Sequence, residues 1–336
     1  MLEITYLKEL LAEPKRIVIT THPKPDGDAM GSSLGLYNYL IQKGHQVKVI
    51  TPTNYPSFLN WIPNNSEVII FTEKQEESKQ FVADADIIFC LDFNALVRIN
   101  ELGIYVRESK AKKVLIDHHL EPEGFEDYRL WTTSACATAQ LVYDFIVNIM
   151  GDRHLLNKDV ASCLYTGIMT DTGSFRFRST TATVHQIVAD LIECGADNTL
   201  IHQLVYDDFS LNRLRFLGYC LLNKLEVLTE YNTAIIVITA EELDQFKNST
   251  GDTEGIVNYA LSISGIRLAV LIIERQDVVK LSLRSVGDFP ANEICKKYFS
   301  GGGHKNASGG ISSERIDAVR EKFNVILPEY KTLLVK

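Results

Sequence analysis

Residues 16–32 read RIVITTHPKPDGDAMGS, and this stretch decides the fold. Its first part, Arg16–Thr21, is a short run of β-branched residues, which is typical of a strand buried in a parallel sheet. Residues Ser33–Lys43 then show apolar spacing of helical period, and Gly44 is placed to end that helix in the left-handed conformation. A second β-branched run follows at Gln46–Thr51. Strand, helix and strand in this order predict a βαβ unit and therefore an α/β fold with a parallel sheet.

The same alternation continues to about residue 118, and helical patterns follow it. Further strands are predicted at Glu67–Phe71, Asp86–Leu91 and Lys113–Ile116, and further helices at Asp159–Thr170 and Thr181–Cys194. We therefore expect an N-terminal parallel-sheet domain over residues 1–194.

A second domain is indicated by a change of pattern. Residues 195–212 are helical in character and are predicted to form a linker, after which a new strand begins at Thr233. Two runs, Arg267–Glu274 and Val278–Ser285, predict a hairpin. A helix near Asn292–Tyr298, a glycine-rich loop and a terminal helix complete a smaller α/β domain over residues 213–336.

Composition limits the class of protein. The chain has 336 residues, of which 46% are hydrophobic and 23% charged, and this balance excludes disordered and collagen-like classes. The net charge of −9 disfavours binding along long nucleic acids, because that mode requires many basic residues, but it leaves a short anionic substrate open. Six cysteines lie scattered without a Cys-x-x-Cys pair, and neither a membrane span nor a signal sequence is indicated. A cytoplasmic protein with reduced thiols and no membrane partner is expected.

Metal-capable side chains follow three of the predicted strands. His22, Asp26 and Asp28 come after the first strand, Asp92 follows the strand Asp86–Leu91, and Asp117-His118-His119 follows Lys113–Ile116. Taken alone, Asp26-Gly27-Asp28 has the simpler interpretation of a turn with Asp28 as a helix N-cap. However, the carboxyl ends of parallel strands share one edge of a sheet, so all these groups are expected to converge there. Asp171, at the end of a predicted helix, is a further candidate, since a carboxylate at that end opposes the helix dipole.

So many carboxylates in one place require counter-charges. Like charges a few ångströms apart raise one another's pKa or repel, and divalent cations resolve that conflict. Oxygen ligands with one or two imidazoles suit Mn²⁺ best, with Mg²⁺ or Co²⁺ as substitutes. The set is too large for one octahedral ion that also keeps water, so two cations are predicted.

The order of these motifs resembles the four motifs of the DHH phosphoesterase superfamily. The resemblance implies that His22, Asp26 and Asp92 hold one metal ion. It implies that the second ion is held by four residues, Asp28, Asp92, His118 and Asp171. In the same scheme Asp117 orients the cluster, and His119 faces the substrate phosphate.

The second domain carries another motif, the glycine-rich run Phe299–Gly310, with Leu283-Arg284-Ser285 before it. Glycines ahead of a helix start leave backbone N–H groups open to an anion, although a plain turn is the alternative. The run resembles the DHH-associated C-terminal domain of the nanoRNase and pAp-phosphatase family. That resemblance implies substrate contacts from six residues: Arg284, Ser285, Gly302, Gly303, His304 and Lys305.

The function implied by the resemblance is metal-dependent hydrolysis of phosphate esters, in which two ions activate a hydroxide for attack on phosphorus. The expected substrates are very short RNAs, cut to mononucleotides, and 3′-phosphoadenosine 5′-phosphate (pAp), cut to AMP. Two alternatives stay open: a phosphodiesterase for cyclic dinucleotides or their linear products, and a non-catalytic nucleotide sensor. Oligomeric state, direction of degradation and the physiological metal are not determined by the sequence.

Overall fold

The structure is a computed structural model that describes residues 6–249 and 251–335. Its backbone contacts divide it into two compact units, the first ending at Asp208 and the second beginning at Phe209. Among the described residues no helix has the length and apolar character needed to cross a membrane.

The first unit is built on a six-stranded sheet in which every neighbouring pair is parallel. Its strands are β1 Arg16–Thr20, β2 Gln46–Thr51, β3 Val68–Ile70, β4 Ile87–Leu91, β5 Lys112–Asp117 and β6 Tyr128–Trp131. The parallel sheet of the prediction is confirmed, and β6 is a strand that the sequence pattern did not indicate. The strand order is β3-β2-β1-β4-β5-β6, so the sheet grows in one direction from β1 and in the other from β4. A crevice at the carboxyl ends of β1 and β4 is the usual place for a ligand in such a sheet.

Eight α-helices accompany this sheet within the described residues. They are α1 Leu7–Leu10, α2 Gly27–Gln42, α3 Gln75–Asp84, α4 Leu102–Glu108, α5 Thr138–Asp144, α6 Lys158–Asp171, α7 Ala182–Glu193 and α8 Asn198–Tyr206. Helix α2 begins six residues earlier than predicted, and its N-cap is Asp26 rather than Asp28. The Asp26 carboxylate accepts hydrogen bonds from the backbone N–H groups of Asp28 and Ala29, both at 3.1 Å, which satisfies donors that a helix start leaves open.

Helices α2 and α6 pack with their backbones unusually close. A Cβ atom placed on Gly31 would lie 2.5 Å from the carbonyl oxygen of Cys163 and 2.8 Å from the backbone nitrogen of Gly167. Gly27 and Gly35, four residues away on either side, face the same helix. A Cβ on Gly167 would in turn lie 2.9 Å from Oδ1 of Asp28. This contact brings the first turn of α2 beside the last turns of α6.

The second unit contains a mixed six-stranded sheet in the order β11-β12-β10-β9-β8-β7. Its strands are β7 Leu225–Leu228, β8 Thr233–Ile238, β9 Leu268–Glu274, β10 Val279–Ser285, β11 Ser300–His304 and β12 Ala307–Ser312. Only β8 and β9 are parallel neighbours. The helices described here are α9 Leu211–Tyr219, α10 Ala240–Gln245, α11 Ile256–Leu261, α12 Ala291–Tyr298 and α13 Ile316–Leu334. The predicted hairpin, the helix before the glycines and the terminal helix are all present.

The glycine-rich segment differs from its prediction as a loop that opens a helix. Residues Ser300–His304 form the outer strand β11, which pairs antiparallel with β12. A Cβ on Gly301 would lie 2.1 Å from the carbonyl oxygen of Gly309, so glycine is required here for close approach of two strands. Glycine at position 301 therefore serves strand packing, and strand β12, rather than a helix, follows β11.

Candidate metal centre

The candidate metal ligands gather where the sheet reverses its direction of growth. His22 and Asp26 follow β1, and Asp92 follows β4, the strand hydrogen-bonded beside it. Asp117 is the last residue of β5, the next strand along. The convergence expected from parallel strand ends is therefore present in the fold.

Asp92 lies in the middle of the cluster. Its Oδ2 is 3.4 Å from Nε2 of His22, and its Oδ1 is 3.6 Å from Nε2 of His118. Three ligand atoms from His22, Asp26 and Asp92 lie within 4.8 Å of one another, and so do three from Asp28, Asp92 and His118. Asp92 also adopts a left-handed backbone conformation with φ of 63°, which is uncommon for a residue other than glycine and typical of a constrained site. The one carboxylate thus belongs to two potential ion sites.

Both histidines have one ring nitrogen committed to a backbone carbonyl. Nδ1 of His22 lies 2.9 Å from the oxygen of Pro23, and Nδ1 of His118 lies 3.3 Å from the oxygen of Ala135. A carbonyl only accepts, so in each ring Nδ1 carries the proton and Nε2 keeps its lone pair in the neutral form. Nε2 faces the carboxylates in both cases, which is the arrangement of a histidine ready to bind a metal.

Asp28 is fixed by the N-terminus of helix α5. Its Oδ2 accepts from the backbone N–H of Thr138 at 2.6 Å, and its Oδ1 accepts from that of Ala139 at 2.8 Å. The Thr138 hydroxyl donates to Oδ1 of Asp92 at 2.9 Å. Thr138 therefore orients two carboxylates at once, although neither it nor helix α5 was indicated by the sequence pattern. In the sequence, the small residues Ser134–Ala137 before Thr138 are the signal that the backbone here comes close to another part of the protein.

Asp171 is the last residue of α6, and the α2–α6 contact brings it to the cluster. Its Oδ2 lies 3.5 Å from Nε2 of His118, which is in turn 3.9 Å from Oδ2 of Asp28. The six predicted ligands therefore divide between the two sides of Asp92, with Asp26 and His22 on one side and Asp28, His118 and Asp171 on the other.

The pKa values of the clustered carboxyl groups indicate whether the site suits a cation. Burial raises the pKa of Asp28 well above its usual range, and the charges of Asp92, Asp171 and Asp26 raise it further. Burial likewise raises the pKa of Asp171 to about 7, despite the opposing charge of His118. Without metal ions, protons bound to these carboxyl groups reduce the repulsion between them. Bound divalent cations would displace those protons. Clustered carboxylates, two imidazole Nε2 atoms that face them and no thiolate together form a donor set suited to such ions.

The two halves of the cluster differ in charge balance. Burial opposes protonation of His22, but the carboxylates of Asp92 and Asp26 outweigh it and raise the pKa of His22 to about 9. Burial would also raise the pKa of Asp92, yet the neighbouring His22, His119 and His118 hold it below its usual range. Asp92 is consequently the carboxylate that stays ionised.

Asp117 and His119 form a separate pair beside the ligands. Nδ1 of His119 lies 2.8 Å from Oδ1 of the fully buried Asp117, and the backbone oxygen of His119 accepts from Trp131 Nε1 at 2.7 Å. Burial disfavours the protonated ring, but the hydrogen bond to Asp117 and the charges of Asp92 and Asp117 raise the pKa of His119, against the charge of Arg98. His119 is therefore held in one orientation, and its ring takes up a proton more readily than an ordinary imidazole.

The candidate substrate residues of the second unit lie around the end of the β10–β12 ladder. Arg284 is in β10 opposite Ala307, while Gly302, Gly303 and His304 lie in β11, and Lys305 begins the turn between β11 and β12. Ser285 differs from its expected role as an open contact, because it is buried. Its hydroxyl donates to the oxygen of Phe289 at 2.7 Å and accepts from Asn306 at 2.8 Å. Nζ of Lys305 lies 3.3 Å from Oδ1 of Asp288.

Two known protein families match this chain, one in each of its two units. Residues 16–168 match the model of the DHH family N-terminal domain, and residues 231–329 match the model of the DHHA1 domain. A bifunctional oligoribonuclease and PAP phosphatase, NrnA, of Thermus thermophilus is 30% identical over 318 residues. That alignment covers 91% of this chain and 90% of the relative.

Two further comparisons bear on fold and activity. The crystal structure of an exopolyphosphatase-related protein from Bacteroides fragilis is 40% identical, covers 98% of this chain and 97% of its own, and superimposes with a TM-score of 0.94. The cyclic-di-AMP phosphodiesterase GdpP of Geobacillus thermodenitrificans is 23% identical over 96% of this chain, but only 49% of that relative is covered.

Proposed function

This chain belongs to the family of DHH phosphoesterases that carry a DHHA1 domain, and from that premise we propose that it hydrolyses short oligoribonucleotides and pAp with the help of two divalent cations. The observation that carries the proposal is the gathering of Asp28, Asp92 and His118, with His22 and Asp26 beside them, at the switch point of the first sheet. A chain that had lost its activity would not be expected to keep every one of these donors in contact, so a pure nucleotide sensor is the weaker alternative.

The metal ligands in this proposal are His22, Asp26 and Asp92 for one ion, and Asp28, Asp92, His118 and Asp171 for the other. When bound, such ions would polarise the phosphoryl oxygens and lower the pKa of the attacking water. We propose Mn²⁺ as the ion that this site binds best, with Mg²⁺ or Co²⁺ as substitutes, because mixed carboxylate and imidazole ligands favour it.

His119 and Asp117 have a different part in the proposal. Water cleaves a P–O bond, and the oxygen that leaves must take up a proton. Asp117 holds His119 through Nδ1 and helps to raise its pKa, so the other ring nitrogen, when protonated, would supply that proton or donate to the phosphate. Asp117 would act by keeping the ring in place.

The substrate class rests on the relatives. The Thermus thermophilus relative is named for activity on oligoribonucleotides and PAP, and the match covers nine-tenths of that protein. The cyclic-di-AMP phosphodiesterase covers this chain equally well, but half of that protein lies outside the match, so cyclic dinucleotides are the second candidate. The net charge of −9 further supports short substrates over long nucleic acids.

We further propose that the chain works as a catalytic domain over residues 1–194, a linker over 195–212 and a substrate domain over 213–336. Arg284, His304 and Lys305 would bind the nucleotide, and Gly302 and Gly303 would keep the backbone beside them uncovered. All six cysteines are free thiols, which supports a reducing, cytoplasmic setting.

The direct test compares two Asp→Asn variants of the same strand. Asp92→Asn removes the central carboxylate and is expected to lower Mn²⁺-dependent hydrolysis at least about a thousandfold. Asp86→Asn, just before the amino end of β4 and far from the cluster along the strand, is the matched control and should keep wild-type activity. Substrates would be RNAs of two to twenty-four nucleotides, pAp, pGpG and cyclic di-AMP. Full activity of Asp92→Asn would refute the site, and turnover of cyclic di-AMP alone would replace the substrate class.

The role of the second unit needs a separate measurement. Arg284→Ala and His304→Ala are expected to raise KM for pAp and short RNA more than they affect a small generic phosphodiester such as bis-p-nitrophenyl phosphate. Equal losses on both kinds of substrate would reject nucleotide binding by these residues.

A further inference from the structure

The chain directly after Asp171 has an unusual backbone. Gly173, Ser174 and Phe175 have φ angles of 57°, 59° and 62°, so three successive residues adopt the left-handed conformation. That conformation is unfavourable for residues other than glycine, and two of the three are not glycine. Such strain persists only where the surrounding structure holds it, and it concentrates at functional sites.

Hydrogen bonds fold this left-handed turn back onto the end of α6. The backbone N–H of Ser174 donates to the oxygen of Met169 at 2.8 Å, and that of Phe175 donates to Oγ1 of Thr172 at 3.1 Å. The ring of Phe177 covers Gly173 so closely that a Cβ there would lie 2.5 Å from it. The turn is thereby built against the helix that ends in Asp171.

A side-chain hydrogen bond connects the same turn to helix α8. Nδ1 of His202 lies 2.8 Å from the backbone oxygen of Asn198, so Nδ1 carries the proton and Nε2 accepts. The hydroxyl of Ser174, 3.0 Å away, donates to that Nε2. The His202 ring also packs among the rings of Tyr165, Phe175 and Tyr206, with centroids 6.0 to 6.2 Å apart. These contacts fix the imidazole against the turn.

We propose that His202 and Ser174 are positioning residues that hold Asp171 in place as a metal ligand. Asp171 is separated from the turn by Thr172 alone, and its Oδ2 lies 3.5 Å from Nε2 of His118. If the turn relaxed to an ordinary right-handed conformation, the backbone that follows Asp171 would change direction. The Asp171 carboxylate would then rotate away from its present position. The proposal rests on the proposed function, since it assigns the support of one cation site.

The experiment titrates the metal-free full chain with Mn²⁺ and follows free Mn²⁺ by electron paramagnetic resonance. Ser174→Ala and His202→Ala are each expected to weaken one of two bound ions by about tenfold to a hundredfold, the usual effect of losing a residue that orients a ligand, and to leave the other ion unchanged. His202→Gln, whose amide oxygen accepts where Nε2 did, is expected to restore most of that affinity.

His185→Ala is the matched control. Its ring centroid lies 6.0 Å from that of Phe175, close to the 6.2 Å of His202, but its side chain makes no hydrogen bond to the turn within the described part of the chain. Wild-type Mn²⁺ binding by this variant is expected. Equal weakening by His185→Ala and His202→Ala would overturn the proposal in favour of general packing.

Other outcomes separate this proposal from its premise. Two ions bound as tightly by Ser174→Ala and His202→Ala as by the wild type would refute the positioning role and leave the proposed function intact. A wild-type chain that binds no Mn²⁺ would refute both. Activity lost in Ser174→Ala at saturating Mn²⁺, with both ions bound, would mean that the hydroxyl takes part in the chemistry and would overturn the positioning role.

Discussion

Gly31→Ala tests whether the close contact of α2 and α6 holds the metal ligands together. The added Cβ would lie 2.5 Å from the carbonyl oxygen of Cys163 and 2.8 Å from the nitrogen of Gly167. Carbon and oxygen normally stay about 3.3 Å or more apart, so the helices must separate by roughly 0.8 Å at this point. Both obstructing atoms belong to the backbone, and no rotamer change can relieve them.

The magnitude follows from two opposing effects. Overpacking of this kind costs about 1–3 kcal/mol, whereas exchanging glycine for alanine inside a helix gains up to about 1 kcal/mol. The net expectation is destabilisation of the first unit by about 1–2 kcal/mol. Asp171 lies one helical turn beyond Gly167, so it should move with α6, and a displacement near 1 Å can lower a rate about a hundredfold. Loss of activity should therefore exceed what the stability change alone would cause.

The assay combines urea unfolding, followed by circular dichroism, with Mn²⁺-dependent hydrolysis of pAp. Gly218→Ala in α9 is the matched control, because a Cβ there meets nothing within 4 Å, and it should be neutral or slightly stabilising. Gly35→Ala should be intermediate, since its Cβ meets the flexible end of the Leu164 side chain at 2.6 Å. A Gly31→Ala protein as stable and as active as Gly218→Ala would refute the argument that this contact sets the site.

Three further predictions concern other parts of the first unit. Thr138→Val keeps the backbone N–H that binds Asp28 but loses the hydroxyl that binds Asp92, so kcat/KM should fall about tenfold, while Thr138→Ser should restore it. Metal removal by EDTA should lower the melting temperature of the wild type, and Mn²⁺ at a hundred times its Kd should return about 2.7 kcal/mol; no change on chelation would argue against a resident ion. The Asp152 carboxylate accepts from Tyr39 and Lys43, which outweigh its burial and lower its pKa, so the stability it contributes is present above pH 4 and is lost as the pH falls further. Asp152→Asn should accordingly flatten the fall in stability below pH 4, and an unchanged acid profile would contradict that assignment.

The sheet of the first unit and the convergence of the proposed ligands at its edge were largely predictable because both depend on short-range pattern. A buried parallel strand is recognisable from its own few residues, and the rule that parallel strands end at one edge needs no knowledge of the loops. His22, Asp92 and His118 were brought together by that rule alone. Strand β6 and helix α5 were not predicted. Strand β6 has only four residues, and at α5 the helical spacing of Leu141, Val142, Phe145 and Ile146 lies within an almost continuous apolar run.

The glycine-rich segment shows where the same reasoning fails. A glycine indicates that something comes close to the backbone, but the residue itself does not say what. At Gly301 the close neighbour is the carbonyl of Gly309 in the next strand. From the sequence alone, an anion was the expected neighbour of this glycine run. Sequence also leaves the partner of Ser285 open, since a hydroxyl suited to a phosphate is equally suited to the carbonyl of Phe289, to which it donates here.

The proposed ligand that is hardest to place from sequence is Asp171, and the reason is physical. It follows a helix rather than a strand, so its position depends on how α6 packs, and that packing depends on glycines of α2 some 130 residues away in the chain. Its orientation depends in addition on a left-handed turn whose strain is held by His202 from a third helix. Each of these contacts is tertiary and none leaves a periodic signal. A site assembled on strand ends can therefore be predicted from local sequence, while the part delivered by a helix requires knowledge of the contacts that hold that helix.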